Sequence, residues 1–216
     1  GATEVIHVLA TQSLVQRKPK RMRVTFEGTR HAGVTPKDMI LHLIGQIGTA
    51  GGTGYAVEYA GSAIRALEVE GRLTICNLSI ELGAKIGMVA PDEKTYAYLK
   101  GRRHAPSGAL WDQALAHWKT LPSAADARFD LEHAIDCSSL APQITWGTSP
   151  EDVIGVDGTI PGHKPAALRY MGLTAGDRIA GTRVDRVFIG SCTNSRLPDL
   201  RAAAEIVRGR KAANHV

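Results

Sequence analysis

The stretch "RMRVTFEGTRHAGVTPKDMILHLIGQIG", Arg21 to Gly48, decides the fold. Its first eight residues alternate. Met22, Val24 and Phe26 face one way, and Arg21, Arg23, Thr25 and Glu27 the other, which is the period of a half-buried strand. The period then changes. Thr35 and Pro36 read as the N-cap and first position of a helix, with Asp38 in its first turn. Ile40, Leu43, Ile44 and Ile47 fall on one stripe, and Gly48 stops the run. A strand thus feeds a helix.

The same alternation extends outward. Upstream, Thr3 to Gln16 reads as a helix with Val5, Ile6, Leu9 and Leu14 at near-helical spacing. Downstream come the strand "YAVEY", helices from about Ser62 to Glu70 and Leu73 to Ala84, and the strand "KIGMVAP" ending at Pro91. Asp92 caps "DEKTYAYLKGR". "ALWDQALAHWKTL" places Trp111, Leu115 and Trp118 on one helix side. "RFDLEHAID" alternates Phe129, Leu131, His133 and Ile135 on one strand face. Ser138 to Lys164 is rich in Pro, Gly, Ser and Thr and reads as a crossing between domains. A short helix at Ala166 to Met171, the strand "RVDRVFIG" and a last helix follow. The last helix starts at Ser195 or Leu197, with Leu197, Leu200, Ala204 and Val207 as its buried face. The class is therefore α/β.

The chain has 216 residues, 44% hydrophobic and 22% charged, which excludes disorder and suits one large or two small domains. The net charge of +5 suits an anionic small molecule. An RNA-binding module is the alternative from another class; the basic residues are dispersed, so nucleic acid is not the expected partner. No apolar run reaches membrane-spanning length and no secretory leader shows. Cys76, Cys137 and Cys192 form no C-x-x-C, so a reducing compartment, the cytoplasm, is expected. The first residues start mid-pattern without Met and the last stop without a closing element, so an internal piece of a longer protein is expected.

The glycines Gly48, Gly51, Gly52 and Gly54 lie between a helix and a strand. That is the wrong order for a dinucleotide loop, and no Lys-Ser/Thr follows for a phosphate loop. No two histidines have metal-ligand spacing. Asn77 and Glu81, four apart, sit at the edge of the predicted stripe Leu73, Cys76, Ile80, Ala84, where a carboxylate and an amide need partners. Cys76 reads as core. Cys192 lies in a polar turn before a helix N-terminus, with Arg196 nearby, an environment that favours a thiolate. A nucleophile, a redox thiol, a metal ligand and a small core thiol all remain open on this reading.

"IGSCTNSR" (Ile189 to Arg196) resembles the first iron–sulfur signature of the aconitase superfamily. "GATEVIHVLATQ", "GTAGGTGYAVEYAG", "ICNLSIELGAKIGMVAPDEKTYAYLKGR" and "PQITWGTSP" extend the likeness over nearly the whole chain, towards the large subunits of bacterial 3-isopropylmalate dehydratases. The resemblance implies aconitase-like three-layer α/β/α domains, incomplete at both ends. Residues 1–20 would be the tail of a first domain and 21–140 a second. Residues 141–216 would be a linker and the start of a third. It implies a hydro-lyase isomerising 2-isopropylmalate to 3-isopropylmalate in leucine biosynthesis, with aconitase-like or homoaconitase-like relatives as the alternative. Its cofactor would be a [4Fe–4S] cluster on three cysteines, Cys192 matching the first and Asn194 lying beside it. The other two belong to a C-x-x-C that this sequence lacks, so the 216 residues alone are expected to hold no cluster and to be inactive. Asn77 and Glu81 match active-site polar residues, Glu81 the carboxylate that handles the leaving hydroxyl. The implied partners are a small dicarboxylate and a small subunit whose swivelling domain carries the serine base.

Overall fold

The computed structural model describes residues 2–190 and 193–211. Helix α1 (Ala2–Thr11) is followed by strand β1 (Lys20–Glu27), helix α2 (Pro36–Ile47), strand β2 (Tyr55–Ala60), helices α3 (Ser62–Ala66) and α4 (Val69–Leu78), and strand β3 (Ile86–Val89). Helices α5 (Glu93–Leu99) and α6 (Ala109–Trp118) lead to strand β4 (Leu131–Asp136). The four strands form one parallel sheet in the order β3-β2-β1-β4. Each connection crosses through helices, as parallel pairing requires.

The alternation predicted for β1 holds. Met22, Val24 and Phe26 are fully buried, joined on the same face by Val57 and Tyr59 of β2. Against that face lie Met39, Ile40, Leu43 and Ile44 of α2 and Ile75 of α4. Burying each such side chain contributes about 1.5–3 kcal/mol. The opposite face is half-buried and polar: Arg23 pairs with Glu58 at 3.0 Å, and its guanidinium lies 4.0 Å from the Phe129 ring centroid. Residues 2–211 thus carry a parallel sheet flanked by helices.

Helix α2 is capped as predicted. The Thr35 hydroxyl accepts from Asp38 N at 3.4 Å, and the Asp38 carboxylate accepts from Thr35 N at 2.6 Å. The other Asp38 oxygen accepts from Gln143 N at 2.6 Å. That bond ties α2 to an antiparallel pair, β5 (Gln143–Thr145) and β6 (Val153–Gly155), inside the segment read as an inter-domain crossing. A second, smaller core gathers Trp146, Ile160, Ala167, Leu168 and Ile179, with helix α7 (Pro165–Met171) over it.

Several expectations fail. The Ser62–Glu70 helix breaks at Leu67 because the buried Arg72 guanidinium takes the carbonyls of Leu67 and Arg65 and pairs with Asp92 at 2.6 Å. The next helix ends at Leu78, not Ala84. Ser79 Oγ bonds the Ile75 carbonyl and Tyr59 Oη, and the chain continues in tight turns. The stripe Leu73, Cys76, Ile80, Ala84 therefore does not form one helical core face: Ala84 is buried in the core and Cys76 packs against it, but Leu73 is exposed and Ile80 is 73% exposed. The "RVDRVFIG" segment forms no strand among the described residues. It has the pattern but no neighbour to take its backbone groups, and Phe188 is 86% exposed. Helix α8 (Leu197–Val207) forms, but none of its side chains is buried. Helix α1 stops at Thr11, and Val5, Ile6 and Leu9 are exposed.

Candidate functional site

Helix α4 positions the site. Thr74 Oγ1, facing the body of the molecule, donates to the Thr193 carbonyl at 3.5 Å and accepts from Arg196 Nη1 at 3.2 Å. Arg196 Nη1 also donates to the Thr193 carbonyl at 2.6 Å. These bonds pin residues 193–196 to α4, one turn before Leu78. Gly190 has φ +125°, and a Cβ there would lie 3.4 Å from Ser195 Cβ. A Cβ at that distance would make an ordinary contact; it is the positive φ that favours glycine here. Cys192 lies outside the described residues.

Beyond Leu78 the tight turn carries Glu81 to the lip of a cavity of about 380 Å³. Lys37, Leu78, Thr148, Ser149 and Thr193 line it as well. Its far wall is the turn after Trp146, which is buried with its ring edge-on to His163. Asp152, also buried, accepts from Thr148 N and Ser149 N at 3.0 and 3.1 Å. Gly147 is needed there because a Cβ would run into the Asp152 carboxylate. Lys164 pairs with Asp152 and Glu151, and Glu151 accepts from Thr49 N at 3.1 Å. The Lys164 ammonium and the Thr49 donors hold the Glu151 carboxyl down at about 2.

Of the residues singled out by sequence, Glu81 and the Thr193–Asn194 arm are brought to α4. Asn194 lines an adjoining cavity of about 520 Å³ with Thr74 and Asp199, and Lys37 borders both cavities. Asn77 is exposed on α4 and does not line the Glu81 cavity, because the helix ends between the two. Burial pushes the Cys76 thiol up to about 11 and raises the Cys137 thiol, so both stay protonated at neutral pH. Lys37, Thr74 and the Thr148–Ser149 turn were missed. The signal for Lys37 was its place in the first turn of a helix with a capping box. Nothing in the spacing announced Thr74.

A model of the aconitase family (aconitate hydratase) matches residues 1–216. The 3-isopropylmalate dehydratase large subunit 1 of Bradyrhizobium diazoefficiens is 62% identical over 99% of this chain. The chain spans about half, 47%, of the length of that relative. The parallel α/β body and the match along its whole length lead to one assignment: the chain belongs to the aconitase family.

Proposed function

We propose that this chain is part of a hydro-lyase of the 3-isopropylmalate dehydratase type. It would interconvert 2- and 3-isopropylmalate by loss and re-addition of water, in leucine biosynthesis, together with a small subunit. The observation that carries the reading is the 62% identity to a large subunit of that name. "Large subunit" in the relative's name supports a small-subunit partner. Among the described residues no helix is long and apolar enough to cross a membrane.

Loss of water needs a base at one carbon and an acid at the neighbouring hydroxyl. Glu81, as a protonated carboxyl, is the proposed acid for the leaving hydroxyl, since the residue lines the cavity that Thr193 also lines. Asn77, four residues earlier in sequence, is proposed as a further active-site polar residue on the resemblance alone, since it does not line that cavity.

Aconitase-family hydro-lyases generally carry a [4Fe–4S] cluster. Among the described residues no three His, Cys, Asp or Glu side chains group to hold a metal. Cys137 sits in the main core and Cys76 packs against it. The described residues therefore do not fit a cluster. The proposed ligand Cys192 and its neighbour Asn194 enter only through the resemblance.

The test is turnover by the full-length protein assembled with its small subunit. The wild type should interconvert the isopropylmalate isomers, and Glu81→Gln should lower kcat about 100-fold or more with little change in KM. Turnover of citrate alone, or a Gln variant at full rate, would overturn the reading.

A further inference from the structure

The Glu81 cavity has one cation in its lining, Lys37. Among the described residues the Lys37 ammonium makes no hydrogen bond or ion pair, and the hydroxyls of Thr148 and Ser149 have no partner either. Leu41, Leu78 and Pro150 add an apolar side. The volume, about 380 Å³, is that of a small-molecule site. An unpaired ammonium, free hydroxyls and an apolar wall beside one carboxylate offer places for one carboxylate of a hydroxy acid and for its alkyl arm.

Both walls are fixed before anything binds. Lys37 stands between Pro36 and Asp38, and Asp38 is locked by the cap and by Gln143 N. Thr148 and Ser149 are locked by Asp152, which Lys164 neutralises. Lys37 is half-buried, so its attraction for an anion exceeds that of a lysine in open water.

We propose that Lys37 takes a substrate carboxylate in this cavity, and that Leu41, Leu78 and Pro150 form the wall for the alkyl arm. The proposal rests on the hydro-lyase reading above and adds the groups that select its substrate.

The experiment uses the full-length protein with its small subunit and two readouts. In the first, lysines are acetylated with and without saturating 2-isopropylmalate and the peptides weighed. Lys37 should be protected about tenfold, while exposed Lys119 stays unchanged. Malate, which lacks the alkyl arm, should need about tenfold or more higher concentration for the same protection. In the second, Lys37→Gln should raise KM about 10–100-fold with kcat nearly kept, and Lys37→Arg should recover most of it. Turnover with neither protection nor a KM change overturns the Lys37 assignment and leaves the hydro-lyase. Protection without turnover overturns the hydro-lyase and leaves the carboxylate site. Neither protection nor turnover overturns both. Equal protection by malate removes the apolar wall.

Discussion

Helices α2 and α8 are written in the same grammar and meet different fates. Each has a proline in its first two positions, an aspartate at its third that accepts from the backbone N–H of its N-cap residue, and an amphipathic pattern. Yet α2 buries Met39, Ile40, Leu43 and Ile44 completely, and α8 buries nothing. The pattern specifies an amphipathic helix. Burial comes from what stands opposite: for α2, the sheet, α4 and the β5–β6 pair. For α8 it is the anchor of its N-terminal arm on Thr74 and an open cavity that Pro198, Asp199 and Ala202 line opposite Pro36 and Gly71.

The sharpest way to break this contrast is to truncate matching side chains. Ile44→Ala should cost about 2–5 kcal/mol, because the sheet and α4 hold their places and leave a cavity. Leu200→Ala, on an exposed position, should change stability by no more than about 0.5 kcal/mol. Urea unfolding of both variants measures the difference. Equal losses would mean that α8 is covered in solution and that the contrast is false.

A smaller effect separates the two caps. Asp38 is buried and serves Thr35 N, Thr35 Oγ1 and Gln143 N. Asp38→Ala should cost about 1–3 kcal/mol, since it leaves the Gln143 donor without its partner. Asp199 is half-exposed and serves the Arg196 N–H, so Asp199→Ala should cost about 0.5–1 kcal/mol. Chemical unfolding checks both, and the order of the two losses is the test.

These cases show what could be read from residues. The alternation of β1 and the capped stripe of α2 are local signals, and tertiary packing agreed with both. Glu81 was placed on a helix with Asn77 because 3.6-residue spacing continues through Ser79 and Ile80. What ends the helix is a hydroxyl reaching Tyr59 on another strand, and no local pattern carries that. Arg72 carried no signal for the same reason: a lone cation beside a helix has the pattern of a solvated residue. Here it is 4% exposed because Asp92, twenty residues on, neutralises it. The strand pattern at 183–190 failed in the opposite direction, a correct local pattern with no neighbour. The resemblance located Glu81 and Asn194 as candidates, but Lys37 needed the cavity.

The smallest expected effect concerns the charged staple that keeps α2 covered. Val153 of β6 packs on Gly45 of α2, and Glu151 beside it binds Thr49 just past the helix end. In the folded chain the Glu151 carboxyl is held at about 2, against an ordinary 4.5. A lowered folded pKa means that the unfolded chain binds the proton first as pH falls. The staple's contribution is thus full above about pH 4.5 and drains away as pH falls towards 2. Glu151→Gln should lose that contribution at neutral pH and show a shallower fall in stability between those limits. Both partners are about one-third exposed, so solvent screening keeps the effect small. Thermal unfolding of wild type and variant across that window decides it. Parallel curves would mean that β6 rests on α2 through Val153 and the Asp38–Gln143 bond alone. The cover over α2 would then owe nothing to the Glu151 ion pair, and a helix such as α8 could be covered by apolar contact and one carboxylate-to-backbone bond.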